Sequence, residues 1–482
     1  MRKPLLAALL ALLVGGCMVG PDYVRPPIDT PTAWRLSDQD ARELANTAWW
    51  EQFGDPVLNE LVSAALLANK DLLIASARIE EFAGQYGFVR SALFPQVGAG
   101  YEVSRQKGVV PGASTSSTSS ASSTYNSYQA VLNASWEIDI WGRIRRQTEA
   151  ARAQLLASED GRRAVILSLV GSVAGAYVNL RDLDRQLEIA KATAKSRGDS
   201  YEIFKERYAG GIISLLELSQ NQSQYEEALA TIPAIEKSIV QQENGLSVLL
   251  GRNPGPITRG RNIDQLMLPA IPAGLPSDIL ERRPDIQQAE QSLIAANALI
   301  GAAKAAYFPT ISLTGLFGYA SSSLGNLFDS QSKVWQYAAP ISMPIFTAGA
   351  IAGQVQAAEA QQQQALFAYQ RAIQQAFREV NDALIDQDRT RAQLEAQKRQ
   401  VGALEQYAGT ARLRYENGYT SYIEVLDAER SLFNVQLQYT QTQQTQLQAM
   451  INLYKAMGGG WVVEAEKVAV AGGARRDEVF PQ

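Results

Sequence analysis

The sequence predicts a mainly α-helical protein with a membrane β-barrel contribution, built as a tandem repeat of a strand pair and a long helical hairpin. Three observations predict it. The run Arg207-Tyr208-Ala209-Gly210-Gly211-Ile212-Ile213-Ser214-Leu215-Leu216-Glu217 returns as Arg414-Tyr415-Glu416-Asn417-Gly418-Tyr419-Thr420-Ser421-Tyr422-Ile423-Glu424, and a duplication this long fixes architecture before any motif does. No proline occurs from Gly142 to Tyr208 or from Gly349 to Tyr415. Ahead of each of those stretches lie two runs that alternate polar and apolar residues with period two.

Residues 1–16 read as an export signal. Arg2 and Lys3 form its basic region, and Leu5 to Val14 an apolar core too short to span a bilayer permanently. Val14-Gly15-Gly16-Cys17 has the small-residue pattern that bacterial lipoprotein processing requires, and Cys17 is the only cysteine among 482 residues. Cleavage leaves Cys17 as an acylated first residue, each buried methylene of its lipid contributing roughly 0.8 kcal/mol to tethering. A single cysteine excludes a disulfide within the chain. Residues 17–54, rich in proline and ending near Trp49-Trp50, read as a lipid-anchored extended arm.

The first repeat covers 55–251. Helical periodicity begins at Pro56 (Leu58, Leu61, Val62, Ala65, Leu66) and runs to about Leu93, where Phe94-Pro95 ends it because a residue before proline avoids the helical region. A strand pair within 94–141 follows, then a helical hairpin with its tip at 208–214. Residues 252–276 hold Pro254, Pro256, Pro269, Pro272 and Pro276 and read as a linker. The second repeat, 277–458, has its strand pair within 308–346 and its tip at 415–421, and 459–482 form a tail.

The strands alternate cleanly. Val97, Ala99, Tyr101 and Val103 share one face, as do Tyr128, Ala130, Leu132, Ala134, Trp136, Ile138 and Ile140. Ile311, Leu313, Phe317 and Tyr319 repeat the pattern, followed by Trp335, Tyr337, Ile341, Met343 and Ile345. Runs of about ten residues suit tilted strands that cross a bilayer with apolar side chains outward. The Ser-rich segments 111–124 and 320–332 between them lack any apolar face and are expected to be mobile loops in water. Four strands cannot close a transmembrane barrel, and open strand edges are not tolerated in hydrocarbon. Several copies must therefore pool them, and about twelve strands from three copies leave room for a duct where about eight do not.

Each proline-free stretch corresponds to a helix on the order of 100 Å long. The returning helix after 421 carries Leu432, Val435, Tyr439, Thr442, Gln446, Ala449 and Leu453 at spacings of three and four, a coiled-coil seam diluted with small and polar residues. Composition argues against catalysis: there is no histidine, no Gly-rich phosphate loop and no nucleophile elbow, so neither an enzyme nor a metal cofactor is expected. The formal charge of −5 becomes −7 once Arg2 and Lys3 leave (42 basic against 49 acidic residues), which argues against nucleic acid.

Six segments together resemble one family. They are GCMVGPDYVRPP around Cys17, WWEQFGDPVLNELVSAAL at 49–66, GLPSDILERRPDI at 274–286, PIFTAGA at 344–350, ENGYTSYIEVLDAERSLF at 416–433 and NLYKAMGGGW at 452–461. They are similar to the TolC-like outer-membrane factors of tripartite efflux pumps, in the lipoprotein branch paired with RND-type transporters. That resemblance implies a homotrimer in the outer membrane of a Gram-negative bacterium, with a twelve-stranded barrel continued by a periplasmic α-helical tunnel. It implies docking of the tunnel's narrow end onto a periplasmic adaptor and an inner-membrane pump. It implies no cofactor beyond the lipid on Cys17, and a passive exit duct for small molecules. A polypeptide-secretion duct of type I shares the fold, and a lipoprotein scaffold that never forms a pore is the alternative of a different class.

Candidate functional residues lie at the two tips. Gly210-Gly211 and Asn417-Gly418 are residue types that tolerate positive φ, which a tight helix-to-helix turn requires. By resemblance these tips, with Ile212 and Tyr419, contact the adaptor. Glu424 and Asp427 stand three apart on one helix face, and by resemblance they ring the tunnel's constriction, where like charges would raise one another's pKa and attract cations. Glu217 is the first-repeat counterpart of Glu424, whereas that of Asp427 is the neutral Gln220. Some relatives latch the tip with an arginine where this chain has Thr420. Arg207 and Arg414, with Tyr208 and Tyr415, are the candidate replacements.

Overall fold

The computed structural model describes residues 18–28, 30, 31, 34, 48–109, 122–270, 278–458 and 462. The export signal, Cys17, the centre of the first Ser-rich loop, residues 271–277 and nearly all of the tail lie outside the described residues. In chain order come helices α1 (Pro56–Ala68) and α2 (Lys70–Ser91), strands β1 (Gln96–Val109) and β2 (Ser122–Ile138), then helices α3 (Arg143–Ala209) and α4 (Leu215–Leu249). The second half supplies α5 (Ile279–Arg282), α6 (Pro284–Ala305), β3 (Thr310–Ser321), β4 (Lys333–Ala338), β5 (Ile341–Ser342), α7 (Ala350–Glu416) and α8 (Tyr422–Ala456).

The duplication keeps register residue by residue. Helices α3 and α7 are both 67 residues long, and α4 and α8 both 35. Their ends coincide under the same shift that relates Arg207 to Arg414. So do three pairs of glycines with positive φ: Gly142 and Gly349, Gly211 and Gly418, Gly251 and Gly458.

The chain divides into two compact units. One gathers Ile79–Ser158 and Ala289–Tyr369 with the described part of the first 27 residues. Its sheet is antiparallel in the order β1-β2-β3-β4, with β5 also paired to β3. The register aligns the apolar residues in rows: Ala99, Leu132, Phe317 and Trp335 form one, and Val97, Ala134, Gly315 and Tyr337 the next. Between them runs a polar row of Asn133 with Gln336 across Leu316. Val97, Leu132, Phe317, Trp335 and Tyr337 are all exposed on one face, the arrangement of a strand that meets lipid. Indole nitrogens anchor the helix-side end of the sheet: Trp136 Nε1 donates to Leu93 O (3.0 Å) and Trp141 Nε1 to Pro309 O (2.8 Å).

Three expectations need correction here and in the entering helix. The fourth alternating run is not one strand: it breaks after Ala338, and Pro340, which has no N–H for a ladder, accepts from Ser312 N instead. The loop 320–332 is not featureless. Thr310–Ser321 runs into it, two 3-10 turns follow (Leu324–Asn326, Ser330–Ser332), Leu327 is buried and Ser332 Oγ donates to Asn326 O. The entering helix is interrupted at Asn69, whose extended backbone ends α1 while its side chain accepts from Leu72 N and donates to Leu249 O.

The second unit comprises Ile28–Arg78, Glu159–Gln288 and Gln370–Gln482, within which the main hydrophobic core lies. Trp49, read from sequence as the end of an extended arm, opens a buried 3-10 helix (Trp49–Phe53) and stacks on Tyr454 with centroids 5.3 Å apart. Asp55 is fully buried and accepts from Val57 N, Tyr177 Oη and Arg261 N at 3.0, 2.6 and 2.9 Å, joining α1, α3 and the linker. Helix α3 contains an apolar window long enough to cross a membrane, but 61% of it is buried inside the chain as core. On α8 two stripes of buried residues repeat every seven: Ala428, Val435, Thr442, Ala449 and Ala456, and Phe433, Thr440, Leu447 and Tyr454. That is the spacing of left-handed helix packing. The seam read from sequence catches the first stripe at Val435, Thr442 and Ala449, while Leu432, Tyr439 and Gln446 are only half-buried.

Candidate functional site: the hairpin tips

Both tips close with the same backbone device. Gly211 (φ 70°) donates to Tyr208 O and Ile212 N to Arg207 O; Gly418 (φ 75°) donates to Tyr415 O and Tyr419 N to Arg414 O, at 2.8–2.9 Å. This paired pattern, with a left-handed residue just past the helix, satisfies carbonyls that a helix end leaves without partners. Nothing lies within 4 Å of a Cβ built at Gly211 or Gly418, so their requirement for glycine is conformational and not one of space. Asn417 Nδ2 caps Leu413 O at 2.8 Å. The turns thrust apolar side chains outward: Ile212 is 75% and Tyr419 77% exposed. Gly210 precedes the first turn, and Tyr208 is exposed beside it.

The acidic residues after the turns differ between repeats. Glu217 closes a capping box: its Oε2 accepts from Ser214 N (2.9 Å) and Ser214 Oγ (3.1 Å), and Glu217 N donates to Ser214 Oγ. Glu424 occupies the same place after Ser421, which makes no side-chain cap, and instead pairs with Arg414 at 3.5 Å. Asp427 pairs with Arg430 at 3.1 Å. Both acids predicted for the constriction thus have an arginine partner in their own hairpin. Asp427 and Arg430 also line a hollow of about 360 Å³ with Gln220, Ser223 and Gln224 of α4, which brings Gln220 opposite its own counterpart.

Of the candidate latches, Arg414 bonds within its hairpin, and Arg207 lies over the Phe204 ring, 5.9 Å from the centroid. Thr420 is half-buried. Tyr415 joins the cluster that binds one hairpin to the other: Phe204 of α3 packs against Tyr415 (6.2 Å) and Tyr422 (4.3 Å). Asn221 Nδ2 of α4 donates to Tyr422 Oη at 2.6 Å, and both residues are buried. Burial pushes the Tyr422 hydroxyl pKa well up, so it stays a neutral partner. Arg412 Nη2 bonds Glu429 (2.7 Å) and Ser200 Oγ (3.3 Å), and Arg197, its pKa pushed down by burial, packs over Phe433.

Apart from Tyr415, these cross-hairpin residues were missed from sequence, yet a signal exists. Phe204 and Asn221 correspond to Ala411 and Ala428 in the other repeat, and Tyr422 to Leu215. Where the repeats pack on each other, each side must complement the other and cannot copy it.

A sheet with an exposed apolar face, two 67-residue helices and paired tips fit a channel protein whose strands meet lipid. The family model described as "Outer membrane efflux protein" matches residues 61–252 and 275–459, and the chain belongs to that family. The toluene efflux pump outer membrane protein TtgC of Pseudomonas putida is 38% identical over 470 residues, 96% of each chain. The cation efflux system protein CusC of Escherichia coli is 36% identical over 461 residues, 95% of this chain and 99% of that one. Among solved structures, the outer membrane channel CmeC of Campylobacter jejuni superposes with a TM-score of 0.87 at 26% identity, covering 95% of this chain and 99% of its own. The open state of MtrE from Neisseria gonorrhoeae gives 0.82 at 33% identity, covering 92% and 99%. The protein is the outer-membrane exit channel of a tripartite efflux system.

Proposed function

We propose that three copies of the chain pool their strands into one twelve-stranded barrel and their hairpins into one periplasmic tunnel, a passive conduit with no catalytic activity. The observation that carries this reading is the open sheet, whose two edges, β1 on one side and β4 on the other, need partners in hydrocarbon. Acylated Cys17 tethers each copy to the membrane. Ile212, Tyr419 and the turn residues Gly210, Gly211, Asn417 and Gly418 meet a periplasmic adaptor, and an RND-type inner-membrane pump supplies the energy. Relatives carry names for toluene, antibiotic and cation efflux, which supports leaving cargo selection to the pump.

Glu424 and Asp427 form the constriction, with Glu217 contributing less because its carboxylate is engaged in the capping box. Single-channel conductance in a planar bilayer tests this, comparing the native protein with Glu424→Ala/Asp427→Ala. Small cation-selective openings in the native protein and a shift toward anions in the variant are expected, because Arg414 and Arg430 stay behind without their partners. Unchanged ion selectivity would remove the acidic ring. A protein that never conducts and forms no heat-resistant oligomer in detergent would favour the scaffold.

A further inference from the structure

The run Gly20-Pro21-Asp22-Tyr23-Val24-Arg25 follows the lipidation site, and nothing in the duct reading uses it. In the sheet-bearing unit this run lies in a groove made by the start of α3 and the length of α6. Arg146, 2% exposed, sends Nη2 to Asp22 Oδ1 (2.6 Å) and to Gly20 O (3.4 Å), and Nε to Val19 O (3.4 Å). Val19 N donates to Trp141 O at 3.0 Å. Asn297 Nδ2 donates to Pro21 O at 3.0 Å. Glu290 accepts Tyr23 Oη on one carboxylate oxygen (3.0 Å) and Arg25 Nη2 on the other (2.9 Å). The backbones touch at Gly20 and Gly301: a Cβ on Gly20 would stand 2.3 Å from Gly301 Cα, and one on Gly301 would stand 2.5 Å from Val19 O.

We propose that this groove is a sequence-specific peptide site whose resident ligand is the chain's own segment 19–25. Charge, amide and shape are each read at a separate position: Arg146 selects the acid and two carbonyls, Asn297 the Pro21 carbonyl, Glu290 the Tyr-x-Arg pair, and the two glycines the absence of side chains. The groove residues come from both repeats, Trp141 and Arg146 from the first and Glu290, Asn297 and Gly301 from the second. The segment is therefore a clasp between the repeats, independent of the lipid. Without it the buried Arg146 guanidinium would keep Glu149 (2.8 Å) but lose Asp22 and two carbonyls, and Glu290 would lose Tyr23 and Arg25, so the undocked state is disfavoured.

The test is hydrogen exchange at residues 18–25 of the full chain, together with binding of a labelled synthetic peptide of residues 18–27. The variant Asp22→Ala/Tyr23→Phe/Arg25→Ala alters only the segment, so it leaves the groove able to fold; Gly301→Val blocks the groove itself. Exchange at Val19 is expected to rise on the order of 10- to 100-fold in the triple variant, the factor that loss of hydrogen bonds to charged groups produces. A Cys17→Ser chain exported behind a non-lipoprotein signal is expected to exchange like the parent. The peptide should bind the triple variant, whose own segment is weakened, and neither the parent nor Gly301→Val. Unchanged exchange in the triple variant, equal loosening in Cys17→Ser, or equal binding of a scrambled peptide would each overturn the proposal.

Discussion

Arg414 faces Glu424 across the second hairpin turn, 3.5 Å apart, whereas Glu217 at the same place in the first turn folds back on Ser214. One position after the helix start thus serves as an ion-pair member in one repeat and a helix cap in the other. The pair is partly exposed, and pairs of that kind contribute only about 0–1 kcal/mol. Its consequence is felt in charge more than in stability.

Removing the arginines should act oppositely to removing the acids. Arg414→Ala/Arg430→Ala leaves Glu424 and Asp427 without internal counter-ions and should raise cation preference. The reversal potential in a salt gradient measures it, and a potential that does not move would place these arginines away from the ion path.

The two caps predict an asymmetry in stability. Ser214→Ala breaks the capping box and should destabilise the first turn of α4 by about 1 kcal/mol. Ser421→Ala removes no side-chain cap and should be near neutral. Amide exchange over residues 215–218 and 422–425 separates them; equal loosening would contradict the difference seen here.

Tyr422→Phe leaves the Asn221 amide buried without its partner and should weaken the contact between hairpins by about 1–3 kcal/mol. We expect larger or more frequent channel openings, with the barrel unaffected. Conductance identical to the native channel would show that this bond does not help hold the tips together.

Asp182 is buried on α3, where it accepts from Thr440 Oγ1 and Gln186 Nε2, and burial raises its pKa above the ordinary value. A carboxyl raised in the folded state stabilises the fold below its unfolded pKa, and that contribution is lost as pH rises through the folded pKa. Asp182→Asn should therefore raise the melting temperature at neutral pH, Gln186 turning its amide to suit. The gain should shrink as pH falls toward about 4. A gain independent of pH would point to packing instead of charge.

Much of this architecture was legible because duplication and periodicity are local signals. Gly211 and Gly418 marked the turns, and the rows through Leu132 and Phe317 followed from strict alternation. The break at Asn69 was not legible, because a mid-helix asparagine acquires its meaning only when Leu249 O is there to receive it. Trp49 looked like part of an arm until Tyr454, some 400 residues away in sequence, supplied its stacking partner. At the tips spacing put Glu424 and Asp427 on one helix face and only the resemblance gave them a role, while their arginine partners depend on side-chain reach around a turn.

The common shift that superposes α3 on α7 and α4 on α8 also restricts how such a gene can change. Losing one residue inside a 67-residue helix rotates everything beyond it by about 100° about the axis, turning buried stripes toward water and water-facing residues inward. A deletion in one half would also put its tip out of step with the tip of the other half. Viable changes of length in the helices should come in steps of about seven residues and in both halves together. Single-residue insertions and deletions should collect instead in segments such as 322–332, where no α-helical phase has to be conserved.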